Sequence, residues 1–412
     1  MKYLLTSIGL LAVVVGMTAC EKLTPKAPEA NEALAAPIDG LTPNQMALHI
    51  MGDEDFAHIF SVAEGLGPVF VQASCENCHA GDGKGNPFNN LTRFGKYVTN
   101  NGNQVWSPML NEGGPQLQHR SITPYSPEEI PSDAASSQFL APNVTGLGYL
   151  AAVTDTDILA MADPNDSDND GISGVVNLIP RPEWLIIDNR YHQDQGGDRF
   201  IGRFGRKAAT INLTHQTVGA YKQDMGITSD FDPVDPVNYA ESQFGGDGVA
   251  DPEIGAGTVE KVVFYLQTLQ APQRRDANTD QVLAGETIFK QIGCNKCHVE
   301  TLHTGLSEIA ALNQVSFHPY TDMLLHDMGA ELDDYYTEGI VATNEWRTMA
   351  LWGLGLQEDS QGGQQFLMHD GRAKTFSEAI DYHGGEGAAS RTAYNQLSEE
   401  EKINLQAFLN SL

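Results

Sequence analysis

CENCH at residues 75–79 and CNKCH at residues 294–298 are the two stretches that decide the fold of this chain. Each is a C-x-x-C-H motif, which is typical of a covalent c-type haem site. The two cysteines can form thioether bonds to one porphyrin, and the adjoining histidine can bind its iron. The spacing therefore predicts two haems, attached and ligated by Cys75, Cys78, His79, Cys294, Cys297 and His298.

Three other interpretations of these motifs are weaker. A zinc site needs four ligands, and no further cysteine is available to complete one at either motif. A redox dithiol has no use for the trailing histidine, which is present both times. Coincidence is disfavoured because histidine supplies only 12 of the 412 residues.

The N-terminal end of the chain predicts export. Residues 1–20 combine a short charged start, an apolar run and small residues before Cys20, which is typical of a secretory signal peptide. The last four of these residues (MTAC) resemble a bacterial lipobox, with Met17 where Leu is more usual. By that resemblance Cys20 becomes the lipidated N-terminus, and Glu21 favours the periplasmic side of the outer membrane. Cleavage without lipidation is the alternative.

The remaining cysteines and the following segment fit this location. One cysteine for lipid and four for thioether bonds leave none for a disulfide, although the compartment is oxidising. Residues 21–44 contain several prolines among Ala and Glu and predict a flexible tether. No other stretch has the length and apolarity of a transmembrane helix. We therefore expect membrane attachment through the lipid alone.

The charge of the chain narrows the classes of partner. A formal net charge of -30 and a pI near 4.5 argue against nucleic acid and against an electrostatic hold on anionic lipid headgroups. The acidic surface could steer a basic redox partner, such as a small cytochrome c. Solubility in salty surroundings explains the same charge equally well.

The residues around the second motif predict a pair of helices. Residues 279–293 lead into Cys294, and residues 398–412 have a Ser cap, an acidic first turn and apolar residues at helical spacing. Crossed N- and C-terminal helices around a haem resemble the cytochrome c fold. Residues 58–71 and 258–269 are the predicted counterparts in the first half, so we expect an internal repeat.

The predicted fold class is mainly α with long irregular loops, in two cytochrome c-like haem domains. The N-terminal haem domain covers residues 45–272, and the C-terminal haem domain covers residues 273–412. The first domain is longer between its haem histidine and its closing helix. Because its extra segments are rich in Gly, Pro and Asn, we expect large insertions there.

One of these insertions contains a candidate calcium site. Asp166, Asp168 and Asp170 alternate before Gly171, and carboxylate oxygens at this spacing suit Ca²⁺. An EF-hand loop would require Glu where the chain has Asn177. A solvated turn rich in Asp and Asn is therefore an equal alternative.

Residues 368–385 (MHDGRAKTFSEAIDYHGG) carry a family resemblance. They resemble the combination of an HDGR sequence, a short helix and a ligand in di-haem bacterial cytochrome c peroxidases and in the related enzyme that matures tryptophan tryptophylquinone. Those families place Met or Tyr, the distal ligand of the C-terminal haem, where this chain has His383. The resemblance implies a bis-histidine haem between His298 and His383.

Further segments are similar to one subgroup of these proteins. Residues 202–208, 220–228 and 320–329, together with the HDGR sequence, resemble the di-haem c-type oxidoreductase family of peroxidase type. The resemblance covers most of the chain from residue 45 onward. It implies that His326 and His369 lie near the C-terminal haem as partners of its propionates or ligands.

The repeat also indicates a ligand for the first haem. Residues 214–221 have the same Thr-to-Tyr spacing as residues 375–382, which precede His383. If the halves correspond, Met225 lies near the distal side of the iron at His79. Packing of this methionine on the porphyrin without ligation is the alternative.

Two side chains are candidate acid/base groups at the first haem. Glu112 and His119 lie in the loop of residues 111–120 and can in principle move a proton between peroxide oxygens. Each is equally well an ordinary loop residue.

The predicted function is that of a di-haem c-type cytochrome oxidoreductase of peroxidase type. Electrons would enter at the C-terminal haem and reduce H₂O₂ or another small oxidant at the N-terminal haem. The alternative is a non-enzymatic electron-transfer cytochrome of the cell envelope, with a metal ion or another cytochrome as partner. A third hypothesis is oxidation of protein side chains, as in the cofactor-maturing relative.

Overall fold

The computed structural model describes residue 34, residues 36–239, residue 241 and residues 246–412. The predicted signal peptide with Cys20, and the predicted tether up to residue 33, lie outside the described residues. Within the described ranges, no helix combines the length and the apolarity needed to cross a membrane.

The described part of the chain alternates short helices, short strands and long loops. The helices are α1 (Pro43–Ala57), α2 (Leu147–Ala151), α3 (Asp155–Met161), α4 (Leu213–Ala220), α5 (Ala256–Thr268), α6 (Asp280–Gln291), α7 (Gln357–Ser360), α8 (Phe376–Asp381), α9 (Ala388–Asn395) and α10 (Glu399–Ser411). The strands are β1 (Val69–Phe70), β2 (Leu91–Asn100), β3 (Asn103–Ser107), β4 (Arg120–Ser121), β5 (Ala135–Phe139), β6 (Leu178–Pro180), β7 (Arg199–Ile201), β8 (Leu302–His303), β9 (Ser316–Phe317), β10 (Leu325–Asp327) and β11 (Glu345–Arg347).

Two helix pairs cross at a glycine, and the two crossings have the same design. In the pair α6–α10, a Cβ added at Gly285 would lie 2.7 Å from Cβ of Phe408, against the backbone of α10. In the pair α1–α5, a Cβ added at Gly52 would lie 2.7 Å from Cβ of Tyr265, against the backbone of α5. Because glycine has no side chain, the helix backbones touch at both crossings.

The phenylalanine four residues after each glycine links the crossing to a haem motif. Phe289 packs on Phe408 with ring centroids 5.1 Å apart and lies 6.3 Å from the ring of His298. Phe56 packs on Tyr265 at 5.5 Å and lies 6.0 Å from the ring of His79. The repeated contacts therefore support the expected internal repeat.

The predicted helices of the second half are confirmed, whereas one in the first half is wrong. Residues 279–293 and 398–412 contain α6 and α10, and residues 258–269 lie in α5. Residues 58–71 do not form the entry helix, which is α1. Thr42 caps α1 in a capping box, and Pro43 starts the helix.

A three-stranded sheet departs from the prediction of a mainly helical chain. The antiparallel strands β3–β2–β5 cover residues 91–139, where we expected helical and irregular structure. Asn101 and Gly102, with φ of 50° and 83°, make the two-residue turn between β2 and β3. The Asn-Gly pair is the typical signal for this hairpin, so the fold is mixed here.

The main apolar core joins residues from both halves of the chain. It is built around α1, α4 and α5 and includes Tyr221 and Met225. Leu302, Phe317 and Trp352, from the predicted C-terminal domain, belong to the same cluster. A second core surrounds α6 and α10. The division at residues 272 and 273 stays a prediction.

Candidate haem sites

The second motif forms a tight turn that directs three side chains into one cavity. Gly293, with a left-handed φ of 85°, ends the path from α6 and leads into the turn that begins at Cys294. The amide of His298 donates to the carbonyl of Cys294 at 3.0 Å. Cys294, Cys297 and His298 all line the cavity, as does His383 from the other side.

His298 and His383 face each other at the distance that an iron ligated on both sides requires. Their ring centroids lie 6.5 Å apart, with an angle of 47° between the ring planes. A metal at about 2.0 Å from each nitrogen, with each centroid about 1.15 Å beyond its nitrogen, separates the centroids by roughly 6.3 Å. The side chains present therefore fit a bis-histidine haem.

Backbone carbonyls fix the orientation of both rings. Nδ1 of His298 donates to the carbonyl of Tyr320 at 3.0 Å, and Nδ1 of His383 donates to that of Ala379 at 2.7 Å. Burial lowers the pKa of His298 to about 4 and also lowers the pKa of His383. Both imidazoles are therefore neutral near pH 7, with Nε2 available as a ligand atom.

The HDGR sequence anchors the segment that carries His383. Asp334 accepts hydrogen bonds from Nε2 of His369 at 2.7 Å and from Arg372 at 3.3 Å. Arg372 also pairs with Asp370 at 2.8 Å. These bonds hold the start of α8, which is capped by the side chain of Thr375 and ends two residues before His383.

His326 lies beside the second motif between two carboxylates. Its Nε2 is 2.8 Å from Asp322, its Nδ1 is 2.6 Å from Glu386, and Nδ1 also lies 3.6 Å from Sγ of Cys297. Burial opposes the charged ring, but the hydrogen bonds that His326 donates to Asp322, Cys297 and Glu386 outweigh it and raise the pKa of His326 to about 12. The expectation that His326 lies near this site is consistent with these contacts.

The first motif repeats the backbone turn of the second. The amides of Cys78 and His79 both donate to the carbonyl of Cys75, at 3.0 and 2.9 Å. Burial lowers the pKa of His79 to about 4. Its Nδ1 is buried without a hydrogen-bond partner among the described residues. The neutral imidazole and the paired cysteines fit a haem here as well.

The turn of residues 221–225 packs against the first motif. Its Asp224 carbonyl accepts hydrogen bonds from the amides of Val71 and Gln72, at 2.7 and 2.9 Å. Burial raises the pKa of the Cys75 and Cys78 thiols, and the negative charge of the nearby Asp224 carboxylate raises it further. Met225 ends this turn and is buried in the main core. Ligation of iron by Met225 stays a prediction.

The two predicted acid/base residues are both exposed. Glu112 pairs with Lys96 at 3.2 Å, and 47% of its side chain is exposed. His119 is also exposed, and partial burial with repulsion by Arg120 lowers its pKa. Among the described residues, no hydrogen bond or ion pair joins either side chain to the first motif.

A buried acid that the sequence analysis did not single out lies in the same region. Glu128 is 7% exposed, and burial raises its pKa to about 7. One carboxylate oxygen accepts the amide of Gln118 at 2.8 Å, and the other has no partner among the described residues. The Gln118 side chain donates to the carbonyls of Val69 and Gln223, at 3.2 and 3.1 Å. Glu128 is thus tied to the turn beside the first motif.

The predicted calcium loop lies against the second motif. Oxygens of Asp166, Asp168 and Asp170 lie within 4.8 Å of one another. Asp170 also pairs with Lys296, inside the second motif, at 3.0 Å. The carboxylates are partly or fully exposed, so calcium binding stays a prediction.

Comparisons with known proteins identify the family. A family model described as "di-haem oxidoreductase, putative peroxidase" matches residues 133–412. Hydrazine synthase of Kuenenia stuttgartiensis, pressurized with xenon, is a similar solved structure, at 14% identity and a TM-score of 0.37 over 94% of this chain and 98% of that one. A MauG-like protein associated with microbial copper homeostasis has the same identity and TM-score over 94% of each chain. No curated protein matched the chain. Because the family model spans more than half of the sequence, this chain belongs to the di-haem oxidoreductase family, which implies two haem cofactors.

Proposed function

We propose that the chain is a di-haem c-type oxidoreductase with peroxidase-like activity. In this proposal the second site passes electrons on, and H₂O₂ or another small oxidant is reduced at the first site. The observation that carries it is the difference between the two sites. His298 and His383 enclose the second site from both sides. Near the first motif, a buried acid, Glu128, is instead joined through Gln118 to the turn that packs against that motif.

The second site is suited to electron transfer and not to substrate binding. A haem bound there supplies reversible one-electron chemistry. The ring separation of 6.5 Å leaves space for an iron but not for a substrate between the histidines. The carbonyls of Tyr320 and Ala379 hold both rings, so ligand exchange requires breaking a hydrogen bond as well.

Glu128 has the properties of a proton carrier at the first site. Reduction of H₂O₂ to water consumes one proton for each electron, so the site needs a group that gains and loses protons near neutral pH. A pKa of about 7 populates both forms of Glu128 there. One oxygen of Glu128 has no partner among the described residues and is available to bond a substrate oxygen, whereas the amide of Gln118 holds the other carboxylate oxygen. Glu128 replaces Glu112 and His119 in this role.

Attachment and location complete the proposal. The four motif cysteines bind the haems covalently, and Cys20 carries the lipid that holds the protein at the periplasmic side of the outer membrane. A basic cytochrome c is the proposed electron donor, because the net charge of -30 attracts a cationic partner.

Adjacent glutamates provide the test. Glu128→Gln removes the proton carrier, whereas Glu129→Gln changes an exposed neighbour and serves as the matched control. We expect Glu128→Gln to lower peroxide turnover by about 10²- to 10⁴-fold and Glu129→Gln to leave it unchanged. Equal turnover in the two variants contradicts the role of Glu128. A wild-type protein with two haems and no peroxide turnover would favour the electron-transfer cytochrome instead.

A further inference from the structure

The cavity of the second motif is also lined by three buried basic side chains. Lys84, Arg206 and Arg347 are 7%, 5% and 6% exposed, and all three belong to the same cavity wall as His298 and His383. They come from distant parts of the sequence. A buried charge requires a counter-charge or very good hydrogen bonding, so their partners are informative.

The hydrogen-bond partners of these cations are all neutral, and most of them are backbone carbonyls. Nζ of Lys84 donates to the carbonyl of Phe366 at 2.8 Å. Nε and Nη2 of Arg206 both donate to the carbonyl of Leu140, at 3.0 and 2.6 Å. Nε of Arg347 donates to the carbonyl of Gly205 at 2.9 Å, and its Nη2 donates to Sδ of Met349 at 3.1 Å. None of the three cations forms an ion pair within the described part of the chain.

The nearest carboxylates are already paired with other cations. Asp370, whose charge has a minor effect on the pKa of Arg206, forms an ion pair with Arg372 at 2.8 Å. Asp322, whose charge raises the pKa of Arg347, forms an ion pair with His326 at 2.8 Å. The described residues therefore supply no dedicated counter-charge to these cations.

The three cations also repel one another. The amide of Arg347 donates to the carbonyl of Arg206 at 3.0 Å, so the backbones of the two residues lie side by side. Burial, together with repulsion by Arg347, lowers the pKa of Arg206 to about 9. Burial and the charge of Arg206 lower the pKa of Lys84 as well. Such a cluster becomes favourable when an anion binds between its members.

Two buried donors of the same cavity wall have no partner among the described residues. They are Nη1 of Arg347 and Nδ2 of Asn143. A buried donor without an acceptor costs about 1–3 kcal/mol, so both atoms indicate an acceptor other than the described residues.

We propose that Arg206 and Arg347, assisted by Lys84 and Asn143, bind the propionate carboxylates of the haem at the second site. A haem has two such carboxylates at one edge, and a guanidinium binds a carboxylate through two parallel hydrogen bonds. Arg206 also acts electrostatically on His79 of the first motif. The inference rests on the proposed haem at the second site and not on peroxidase activity.

The test measures the reduction potential of the bis-histidine haem. Arg347→Gln and Arg206→Gln each remove one cation, whereas Arg347→Lys keeps the charge and Arg190→Gln changes a surface arginine paired with Asp188. Spectroelectrochemical titration between pH 5 and 8 gives the potential, and the pyridine haemochrome spectrum gives the haem content per chain.

We expect both Gln variants to keep two haems and to have a more negative potential that falls as pH rises, because an unpaired propionate gains a proton on reduction. Arg347→Lys and Arg190→Gln should follow the wild type. Loss of the second haem in a Gln variant, with retention in Arg347→Lys, also supports the inference. Potentials equal to the wild type in both Gln variants, at every pH and with two haems present, overturn it. Peroxide turnover, measured in the same samples, tests the proposed function separately.

Discussion

Replacement of Gly285 by alanine tests the crossing of α6 and α10, which positions the second motif. The new Cβ would lie 2.0 Å from the carbonyl oxygen of Asn404 and 2.7 Å from Cβ of Phe408, whereas ordinary van der Waals contacts begin at 3.4 Å. The two helices must therefore separate by roughly 1–1.5 Å, and overpacking of this kind costs about 1–3 kcal/mol. Because alanine has a higher helix propensity than glycine, it offsets up to about 1 kcal/mol of this cost. The crossing should lose stability on balance.

Gly257→Ala is the matched control, because Gly257 lies in α5 and a Cβ there meets no atom within 4 Å. We expect Gly285→Ala to lower the midpoint of thermal unfolding of the haem-loaded protein by several degrees, at about 2–4 °C per kcal/mol for a domain of 150–250 residues. Gly257→Ala should raise it slightly. An unfolding midpoint of Gly285→Ala at or above that of the wild type refutes the close crossing.

Three further predictions concern the second site and the acidic loop. His383→Met should convert the ferric EPR signal of the second haem from bis-histidine to histidine–methionine type with haem content unchanged; an unaltered signal would remove His383 as ligand. The raised pKa of His326 stabilises the fold fully below about pH 6.5, and this contribution is lost as pH rises toward 12. The unfolding midpoint should therefore fall more steeply between pH 7 and 10 in the wild type than in His326→Gln; parallel curves would contradict this. Calcium should raise the midpoint of the wild type and not of Asp168→Asn, and an equal response of both proteins would exclude the loop.

Local signals in the sequence were sufficient for the two long helices of the second half and for the segment that carries His383. Helix caps and apolar spacing predict α6 and α10, and the HDGR resemblance predicts the position of His383 opposite His298. The prediction for residues 58–71 is wrong because an apolar segment next to a haem motif does not by itself indicate a helix. The capping box at Thr42, which starts α1, was the better signal.

Burial in the folded protein distinguishes side chains that look equivalent in the sequence. Glu112, Glu128 and Glu129 lie in similar loop sequence, yet only Glu128 is buried, and its carboxylate is bonded to the amide of Gln118. Likewise, Lys84 and Arg206 meet only after the chain has folded, so no local pattern predicts their cluster. Tertiary contacts of this kind are set by the whole fold and not by sequence spacing.

EPR spectroscopy of the fully oxidised and half-reduced protein, before and after addition of H₂O₂, tests the proposed division between the two sites most directly. We predict a low-spin bis-histidine signal from the second haem in the oxidised protein and an open, peroxide-sensitive first haem in the half-reduced protein. Two haems that stay low-spin in both states, with spectra unchanged by H₂O₂, would contradict peroxidase-like activity.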